Sequence, residues 1–255
     1  MVSQSRTFSI ACTLSGHARS LALRDCDAFW QGALFSSDVA WLNSPRALFE
    51  SSLKLQQLKL AIRGCIQVPA TLVSNDPIEV RNFFDCHGGA VVKSLSNGYS
   101  VYKIQKLKFY SRYFPGATDE LLSGLAISPL IFQKMISKKR ELRVTVVDGY
   151  CFGMVADVHD LGEQNLDIRK LNYRAEKDRF NGMIVPEKIV LDSKKLMADF
   201  GLKYAGLDWI EDQDGQWYFL ELNCMGAFKW SEICGAGDIT KAIASALISG
   251  GILNE

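Results

Sequence analysis

The sequence predicts an α+β protein whose sheets are antiparallel. The dipeptides Asp148-Gly149 and Asp214-Gly215 each separate two strand-like runs, and Asp-Gly is a strong signal for a tight β-hairpin turn. Two segments with helical spacing accompany these hairpins, one opening at Ser44-Pro45 and the other running from Pro186 to Phe200. Proline fits the first turn of a helix, because that turn leaves its backbone N–H groups unpaired in any case.

The first half of the chain alternates helical and extended patterns. Apolar residues recur at helical spacing after Pro45, at Leu48, Leu55, Leu58 and Ile62, which is typical of a helix with one buried face. The predicted elements, in order, are a strand Thr7 to Leu14, a helix Leu21 to Ala33, a helix Ser44 to Gly64, a strand Thr71 to Ser74, a helix Asp76 to Phe84, a strand Ala90 to Lys93, a loop Ser94 to Tyr99, an irregular connection Leu107 to Thr118 and a helix Asp119 to Ala126.

The second half is richer in strands. Runs of β-branched and aromatic residues bounded by turn residues predict strands, and three consecutive runs are expected to form one antiparallel sheet. The predicted elements are strands Leu130 to Ile136, Glu141 to Val147 and Tyr150 to Asp157, a polar structureless stretch His159 to Asn181, a helix Pro186 to Phe200, a hairpin of Tyr204 to Ile210 with Gln216 to Asn223, and a helix capped by Asp238 that ends at Leu247.

The composition excludes several functional classes. Hydrophobic residues make up 48% of the 255 residues and charged residues 22%, which is ordinary for a globular protein and excludes disorder. The net charge of +1 gives no electrostatic reason to expect a nucleic-acid or membrane partner. Seven cysteines without a CxxC pair argue against a disulfide framework or a zinc site. The chain lacks an apolar run of about 18 residues, so we expect a cytoplasmic protein.

The second hairpin brings two carboxylates together. If Asp214-Gly215 is a two-residue turn, the residue numbers of each pair across the hairpin add up to the same total as 214 and 215. This rule places Asp208 opposite Glu221. Asn223 shares the face of Glu221 because side chains alternate along a strand. Oxygen ligands of this kind suit Mg²⁺ better than Zn²⁺. A solvated pair of acids at the end of an edge hairpin explains the same residues, and the spacing by itself does not decide between them.

A set of motifs carries a resemblance to a known family. In order and spacing, Gln133-Lys134-Met135-Ile136, Glu141 to Val147, Gly206-Leu207-Asp208 and Phe219-Leu220-Glu221-Leu222-Asn223 resemble the signature of ATP-grasp ligases. Further pieces resemble the graspetide synthetases, which cyclise ribosomally made peptides as in microviridin maturation. These pieces are Trp41-Leu42-Asn43-Ser44-Pro45, Lys54 with Gln57-Leu58, Val68-Pro69-Ala70-Thr71, Val91-Val92-Lys93 and Trp230-Ser231-Glu232. The resemblance covers roughly Asp25 to Leu247.

The resemblance implies a role for each matching residue. Lys54 and Lys93 would grip the ATP phosphates, and Gln133, Lys134, Met135 and Ile136 would form the hinge that binds adenine. Glu141 would lie on the ribose side, and Arg143 would stabilise the transferring phosphoryl group. Asp208, Glu221 and Asn223 would hold Mg²⁺, and Asp167 with Arg169 would contact an acceptor peptide. The three cations also have structural interpretations, since Lys54 fits a solvated helix lysine, Lys93 an ammonium that reaches water, and Arg143 a structural ion pair.

The implied activity is ATP-dependent ligation, in which a carboxylate is activated as an acyl phosphate and joined to an amine or hydroxyl. The implied organisation is a remnant of the pre-ATP-grasp domain over 1–45, an N-lobe over 46–127 and a C-lobe over 128–255. The family's Asn-Pro-x-Gly is replaced by Asn223-Cys224-Met225-Gly226. The resemblance also implies that the front domain is reduced or missing, which leaves acceptor recognition open. A peptide substrate is expected, and a homodimer is compatible with the sequence. A nucleotide-binding partner protein without turnover and a small-molecule carboxylate-amine ligase remain alternatives.

Overall fold

The computed structural model describes residues 15–96, 99–102, 105–108, 111–158 and 177–249. The predicted strand Thr7 to Leu14 and residues 159–176 of the polar stretch lie outside this part. The chain divides into two compact units, Met1–Trp41 and Leu42–Glu255. The described part of the first unit contains helix α1 (Gly16–Phe35), which has no buried residue. This confirms the helix predicted over Leu21 to Ala33 and extends it at both ends.

The second unit contains helices and antiparallel strands, as predicted. Its helices are α2 (Pro45–Ser51), α3 (Lys54–Arg63), α4 (Pro77–His87), α5 (Asp119–Gly124), α6 (Glu187–Phe200), α7 (Lys229–Ile233) and α8 (Ile239–Ser249). Its strands are β1 (Thr71–Ser74), β2 (Ala90–Lys93), β3 (Tyr99–Tyr102), β4 (Gln105–Lys108), β5 (Arg112–Phe114), β6 (Leu130–Gln133), β7 (Lys138–Val147), β8 (Tyr150–Asp157), β9 (Phe180–Met183), β10 (Tyr204–Asp212) and β11 (Trp217–Asn223). A short 3-10 helix, Lys177–Arg179, precedes β9.

The strands in the described ranges form three antiparallel sheets. One sheet has the order β1-β6-β2-β5, a second has the order β11-β10-β7-β8-β9, and β3 pairs with β4. The prediction that β6, β7 and β8 share a sheet is wrong for β6, which pairs with β1 and β2 instead. The segment 134–137 therefore crosses from the four-stranded to the five-stranded sheet. The predicted domain limits at 45 and 127 stay a prediction.

Several local predictions also need correction. The helix predicted from Ser44 to Gly64 is two helices, because the hydroxyl of Ser52 donates to the carbonyl of Phe49 at 2.7 Å and Leu53 is extended with φ −83° and ψ 104°. A serine hydroxyl that bonds a nearby carbonyl competes with helical pairing. The predicted irregular connection Leu107 to Thr118 contains the end of β4 and all of β5, and the predicted loop to Tyr99 ends where β3 begins. No strand was predicted for β3, β4, β5 or β9, and α7 was not predicted either.

The largest hydrophobic core lies on one face of the five-stranded sheet. Leu207 and Trp209 of β10 pack there with Phe219 and Leu222 of β11, and α3 and α6 cover them with Leu60, Leu196 and Phe200. Burying a side chain of this size stabilises the folded state by about 1.5–3 kcal/mol. Because side chains alternate along a strand, the residues between them point to the other face. In the described ranges, no helix is both long and apolar enough to cross a bilayer.

Candidate active site

Three charged residues form one row across the face of the five-stranded sheet opposite this core. Asp208 of β10 lies opposite Glu221 of β11 and opposite Arg143 of β7. Asn223, which lies opposite Gly206, is two residues beyond Glu221 on the same strand. Because side chains alternate along a strand, Asn223 shares the face of Glu221. The predicted register of Asp208 and Glu221 is therefore confirmed.

The turn that was expected to set this register is different from the predicted one. The backbone N–H of Asp212 donates to the carbonyl of Gln216 at 2.9 Å, so the loop has the three residues 213–215 rather than two. Such a loop shifts every pair by one residue. A β-bulge at Leu220 shifts it back, because Asp208 pairs with Glu221 while Trp209 pairs with Phe219. A bulge places two residues of one strand against one residue of its partner, and here it restores the pairing of the two carboxylates.

The Arg143 guanidinium is enclosed by two glycines. Its Nη1 donates to Asp208 Oδ1 at 2.8 Å, and the residue is buried. A Cβ atom built on Gly206 would lie 2.1 Å from Arg143 Nη2, and one built on Gly226 would lie 2.0 Å from the same atom. Any larger residue at either position would occupy the space of the guanidinium. The Nε atom of Arg143 is buried and has no hydrogen-bond partner within the described part of the chain.

Lys54 enters the site from the first turn of α3. Its Nζ lies 3.6 Å from Glu221 Oε2, with 20% of the lysine side chain and 26% of the glutamate side chain exposed. The prediction that Lys54 belongs to a motif rather than to a solvated helix face therefore gains geometric support. Its role toward a phosphate stays a prediction.

Gln57 ties α3 to the edge strand β11. Its Nε2 donates to the carbonyls of Ser51 at 2.7 Å and of Leu222 at 2.8 Å, and its Oε1 accepts from the N–H of Leu222 at 2.9 Å. An edge strand presents unpaired backbone groups, and this side chain satisfies both groups of Leu222. Lys54 lies one helical turn before Gln57 and Glu221 directly precedes Leu222, so the same contact holds the Lys54–Glu221 pair together.

A buried carboxylate at position 57 should destabilise the fold. In Gln57→Glu the lost N–H donor leaves a charge facing two carbonyl oxygens, and we expect the free energy of unfolding to fall by about 2–3 kcal/mol. Urea unfolding measures it. Gln56→Glu makes the same chemical change one residue away, at a less buried position, and should change the free energy far less. Equal effects in the two variants would contradict the anchoring role.

Lys93 ends β2 and points into the same cleft as Lys54 and Glu221. Its Nζ donates to Gln133 Oε1 at 2.6 Å. Removal of the ammonium group from water lowers the Lys93 pKa to about 8; Glu221 and Glu141 raise it, whereas Lys54 and Lys138 lower it further. The ammonium thus lies in a site where an added anion would be stabilised.

The other predicted residues lie around this cleft or outside the described ranges. Glu141 is paired with Lys138 on β7. Lys134, Met135 and Ile136 follow β6, and the N–H of Lys134 donates to the carbonyl of Ala70 at 2.9 Å. Asp167 and Arg169 lie outside the described residues, so their predicted contact with an acceptor stays a prediction.

The donor set fits a hard divalent cation. Asp208 and Glu221 supply two carboxylates, and Asn223 adds an amide on the same face, with phosphate and water oxygens left to complete the shell as Mg²⁺ prefers. The described residues contain no cluster of three His, Cys, Asp or Glu able to hold a metal, so the set depends on the amide and on the ligand. The buried Nε of Arg143 and the partly desolvated Lys93 indicate that the site is also prepared for an anion.

Some of the residues that build the site were not assigned from sequence. Asn43 accepts at Oδ1 from the N–H groups of Lys203 at 2.9 Å and Tyr204 at 3.0 Å, and its Nδ2 donates to the carbonyl of Tyr204 at 2.7 Å. Gln57 and Asn43 both lie within the quoted motifs, so the signal was present, but a motif does not say which backbone a side chain will bond. Gly206 had a signal too, since it directly precedes Leu207-Asp208.

Comparisons with known proteins show which solved structures this fold is similar to. No protein-family model matches the chain. A RiPP-associated ATP-grasp ligase of Chryseobacterium gregarium, solved with ADP and a leader and core peptide, is 26% identical with a TM-score of 0.81, over 92% of this chain and 71% of that one. The macrocyclase MdnC from Microcystis aeruginosa, solved with its precursor peptide MdnA, is 25% identical with a TM-score of 0.78, over 96% of this chain and 75% of that one.

A curated relative points to the same chemistry. The coenzyme gamma-F420-2:alpha-L-glutamate ligase of Methanococcus maripaludis is 23% identical over 214 residues, which are 82% of this chain and 70% of that protein. Fold, site and likeness together define this chain as an ATP-grasp ligase. Within that class it is similar to RiPP-associated ligases and macrocyclases, and the predicted resemblance to graspetide synthetases is confirmed.

Proposed function

We propose that this chain uses ATP to activate a carboxylate and joins it to an amine or hydroxyl on a ribosomally made peptide. One observation carries the proposal: Lys54, Lys93 and Arg143 meet Asp208 and Glu221 beside one cleft and one sheet face. Cations next to a pair of oxygen ligands are what a nucleotide with its divalent ion requires. The similar structures solved with ADP and with peptides support both substrates.

Each residue would contribute by position and charge. Lys54 and Lys93 would bind nucleotide phosphates, and Arg143 would stabilise the charge on the transferring phosphoryl group, because a planar guanidinium suits phosphate oxygens. Asp208, Glu221 and Asn223 would hold Mg²⁺, which neutralises phosphate charge when bound. The backbone of the segment that starts at Gln133 would bind adenine, with Glu141 on the ribose side.

The proposed reaction consists of two successive nucleophilic displacements. A carboxylate oxygen of the substrate attacks the γ-phosphorus, the bond to the β-phosphate oxygen breaks, and ADP leaves. The nucleophilic amine or hydroxyl then attacks the carbonyl carbon of the acyl phosphate, loses its proton and expels phosphate. Charge neutralisation and alignment account for most of the rate in phosphoryl transfer.

The test is ADP release with a candidate acceptor. Purified protein, MgATP and a short peptide encoded beside this gene should give ADP in proportion to product, and each bond formed within the peptide should remove the mass of one water. Added hydroxylamine should trap the activated carboxylate as a hydroxamate. ATP binding without turnover for any acceptor would contradict the proposal and favour a nucleotide-binding partner protein.

A small-molecule carboxylate-amine ligase is the second candidate. The likeness to the coenzyme F420 glutamate ligase favours it, and the same assay separates the two. A peptide macrocyclase gives a dehydrated peptide, whereas an amino-acid ligase consumes ATP only when a free amino acid is supplied and adds that residue's mass to the product.

ADP binding should weaken as Lys93 loses its proton. The Lys93 pKa lies near 8 in the free protein, below its ordinary value of 10.5, and only the ammonium attracts a phosphate. The affinity for ADP, measured by calorimetry in steps from pH 7 to 10, should therefore be constant at first and fall above about pH 8. Lys93→Met should bind ADP more weakly and lose this pH dependence. A fall of equal size in Lys93→Met would show that another group titrates.

A further inference from the structure

The side-chain amide of Gln133 forms hydrogen bonds to other side chains of the protein at both of its ends. Gln133 is buried, with 3% of its surface exposed, and it ends β6 beside both β1 and β2. Its Oε1 accepts from Lys93 Nζ at 2.6 Å, and its Nε2 donates to Thr71 Oγ1 at 3.0 Å. The Thr71 hydroxyl in turn donates to the carbonyl of Pro69 at 2.7 Å. One chain of hydrogen bonds therefore runs from Pro69 to Lys93.

The chain of bonds has only one consistent direction. An ammonium group donates and never accepts, so the oxygen of the Gln133 amide must face Lys93. The amide nitrogen then faces Thr71, whose oxygen is free to accept because its proton is directed to a carbonyl. Both ends of the amide are thereby fixed by partners on neighbouring strands.

We infer that Gln133 is a positioning residue whose neutral amide holds the Lys93 ammonium toward the cleft and leaves its positive charge for a nucleotide phosphate. This inference rests on the proposed function. It differs from the role that the resemblance implied, because both ends of the buried side-chain amide are directed at Lys93 and Thr71 rather than at adenine. The N–H of Lys134 is taken by the carbonyl of Ala70, so the adenine role falls to other backbone groups of the segment that follows Gln133.

A neutral partner matters because the cleft already contains carboxylates. Lys93 is influenced by Glu221 from β11 and by Glu141 from β7, and Lys54 of α3 and Lys138 of β7 oppose them. A third carboxylate in direct contact would cancel the lysine's charge locally. An amide oxygen orients the ammonium without adding a charge, and two of its three N–H donors remain for other acceptors.

The test is a double-mutant cycle on ADP affinity, measured by calorimetry with the full chain. Gln133→Met should weaken ADP binding by about tenfold, the size expected for loss of a hydrogen bond to a charged group. Lys93→Met should weaken it more. The double variant should be no weaker than Lys93→Met, because residues that act through one another are not additive. Adenosine, which lacks phosphate, should bind Gln133→Met as it binds the unchanged protein, to within about twofold.

Two further variants keep the test decisive if Gln133→Met folds poorly. Gln133→Glu retains an acceptor for Lys93 but adds a negative charge, so it should lose ADP affinity at temperatures where the variant is still fully folded. Thr71→Val removes the acceptor that orients the amide and should give a smaller loss, again for ADP and not for adenosine. A purely structural role would instead make ADP affinity follow the melting temperature.

Particular results would overturn the inference. Additive effects of Gln133→Met and Lys93→Met, or equal losses for ADP and adenosine, would show that the side chain acts on the base or on the fold. In that case the proposed function stands, because the unchanged protein still binds ADP. If the unchanged protein does not bind ADP, the inference and the proposed function both fail.

Discussion

Glu221→Ala is expected to remove Mg²⁺-dependent ATP turnover while leaving the protein folded. Glu221 provides one of the two facing carboxylates and also lies 3.6 Å from Lys54, so its loss affects both the metal site and a phosphate-binding lysine. Loss of a residue that only hydrogen-bonds a metal ligand lowers metal affinity or activity by about 10–100-fold. For loss of a direct ligand we expect turnover to fall by at least about 100-fold. The rate of ADP release at saturating MgATP, with an acceptor peptide that supports turnover by the unchanged protein, measures this loss.

Stability should change little in this variant. The substitution removes a repulsion with Asp208, since like charges directly opposed across a ladder destabilise a sheet, and it removes a partly exposed ion pair worth about 0–1 kcal/mol. Asp192→Ala is the matched control, because Asp192 also loses an ion pair, with Lys188 at 2.6 Å, but lies on α6 away from the cleft. Normal turnover in Glu221→Ala would refute the metal site.

Gly226→Ala is expected to lower turnover by about 100-fold, the size of effect that a 1 Å misplacement of a catalytic group can have. The new Cβ would lie 2.0 Å from Arg143 Nη2, so the guanidinium must move from its place beside Asp208. The severe clash falls on the tip of the Arg143 side chain, and the next backbone contact, with the carbonyl of Asn223 at 3.2 Å, requires only a small shift. The expected signature is therefore a lower kcat with a nearly unchanged melting temperature.

Gly124→Ala is the matched control for this variant. A Cβ at Gly124 meets no atom within 4 Å, and the residue ends α5, a helix that carries none of the predicted site residues. It should keep full turnover. Gly206→Ala probes the other side of the guanidinium, where a Cβ would also lie 2.1 Å from Nη2, and should resemble Gly226→Ala. Full activity in both glycine variants would show that Arg143 does not depend on this enclosure.

The register of the second hairpin shows how a sequence rule can succeed for an incomplete reason. Asp214-Gly215 predicts a turn, and a turn is present, but it has three residues. Asp208 faces Glu221 because the bulge at Leu220 compensates for the extra loop residue. The bulge has its own support, since the N–H of Phe219 donates to the carbonyl of Gln67 at 2.8 Å. Nothing local to Leu220 in the sequence announces this contact, which joins residues far apart in the chain.

The strands and helices were largely predictable because their signals are local. The ranges of β1, β2 and β8 agree with prediction, as does the left-handed turn at Asp148 and Gly149, with φ 45° and 84°. The membership of β6 was not predictable, because its apolar residues fit either sheet and only pairing with β1 and β2 decides between them. The split between α2 and α3 depended on serine hydroxyls that compete for backbone carbonyls.

The sequence by itself determined the α+β class, most element boundaries, the set of charged residues and the likeness to ATP-grasp ligases. Periodicity, turn residues and motif order are properties of short segments, so one chain suffices to see them. Only the tertiary structure decided that Gln133 holds Lys93, that Gln57 and Asn43 bind distant backbone, and that two glycines enclose Arg143. Those contacts join different elements, and their partners are chosen by packing rather than by spacing along the chain.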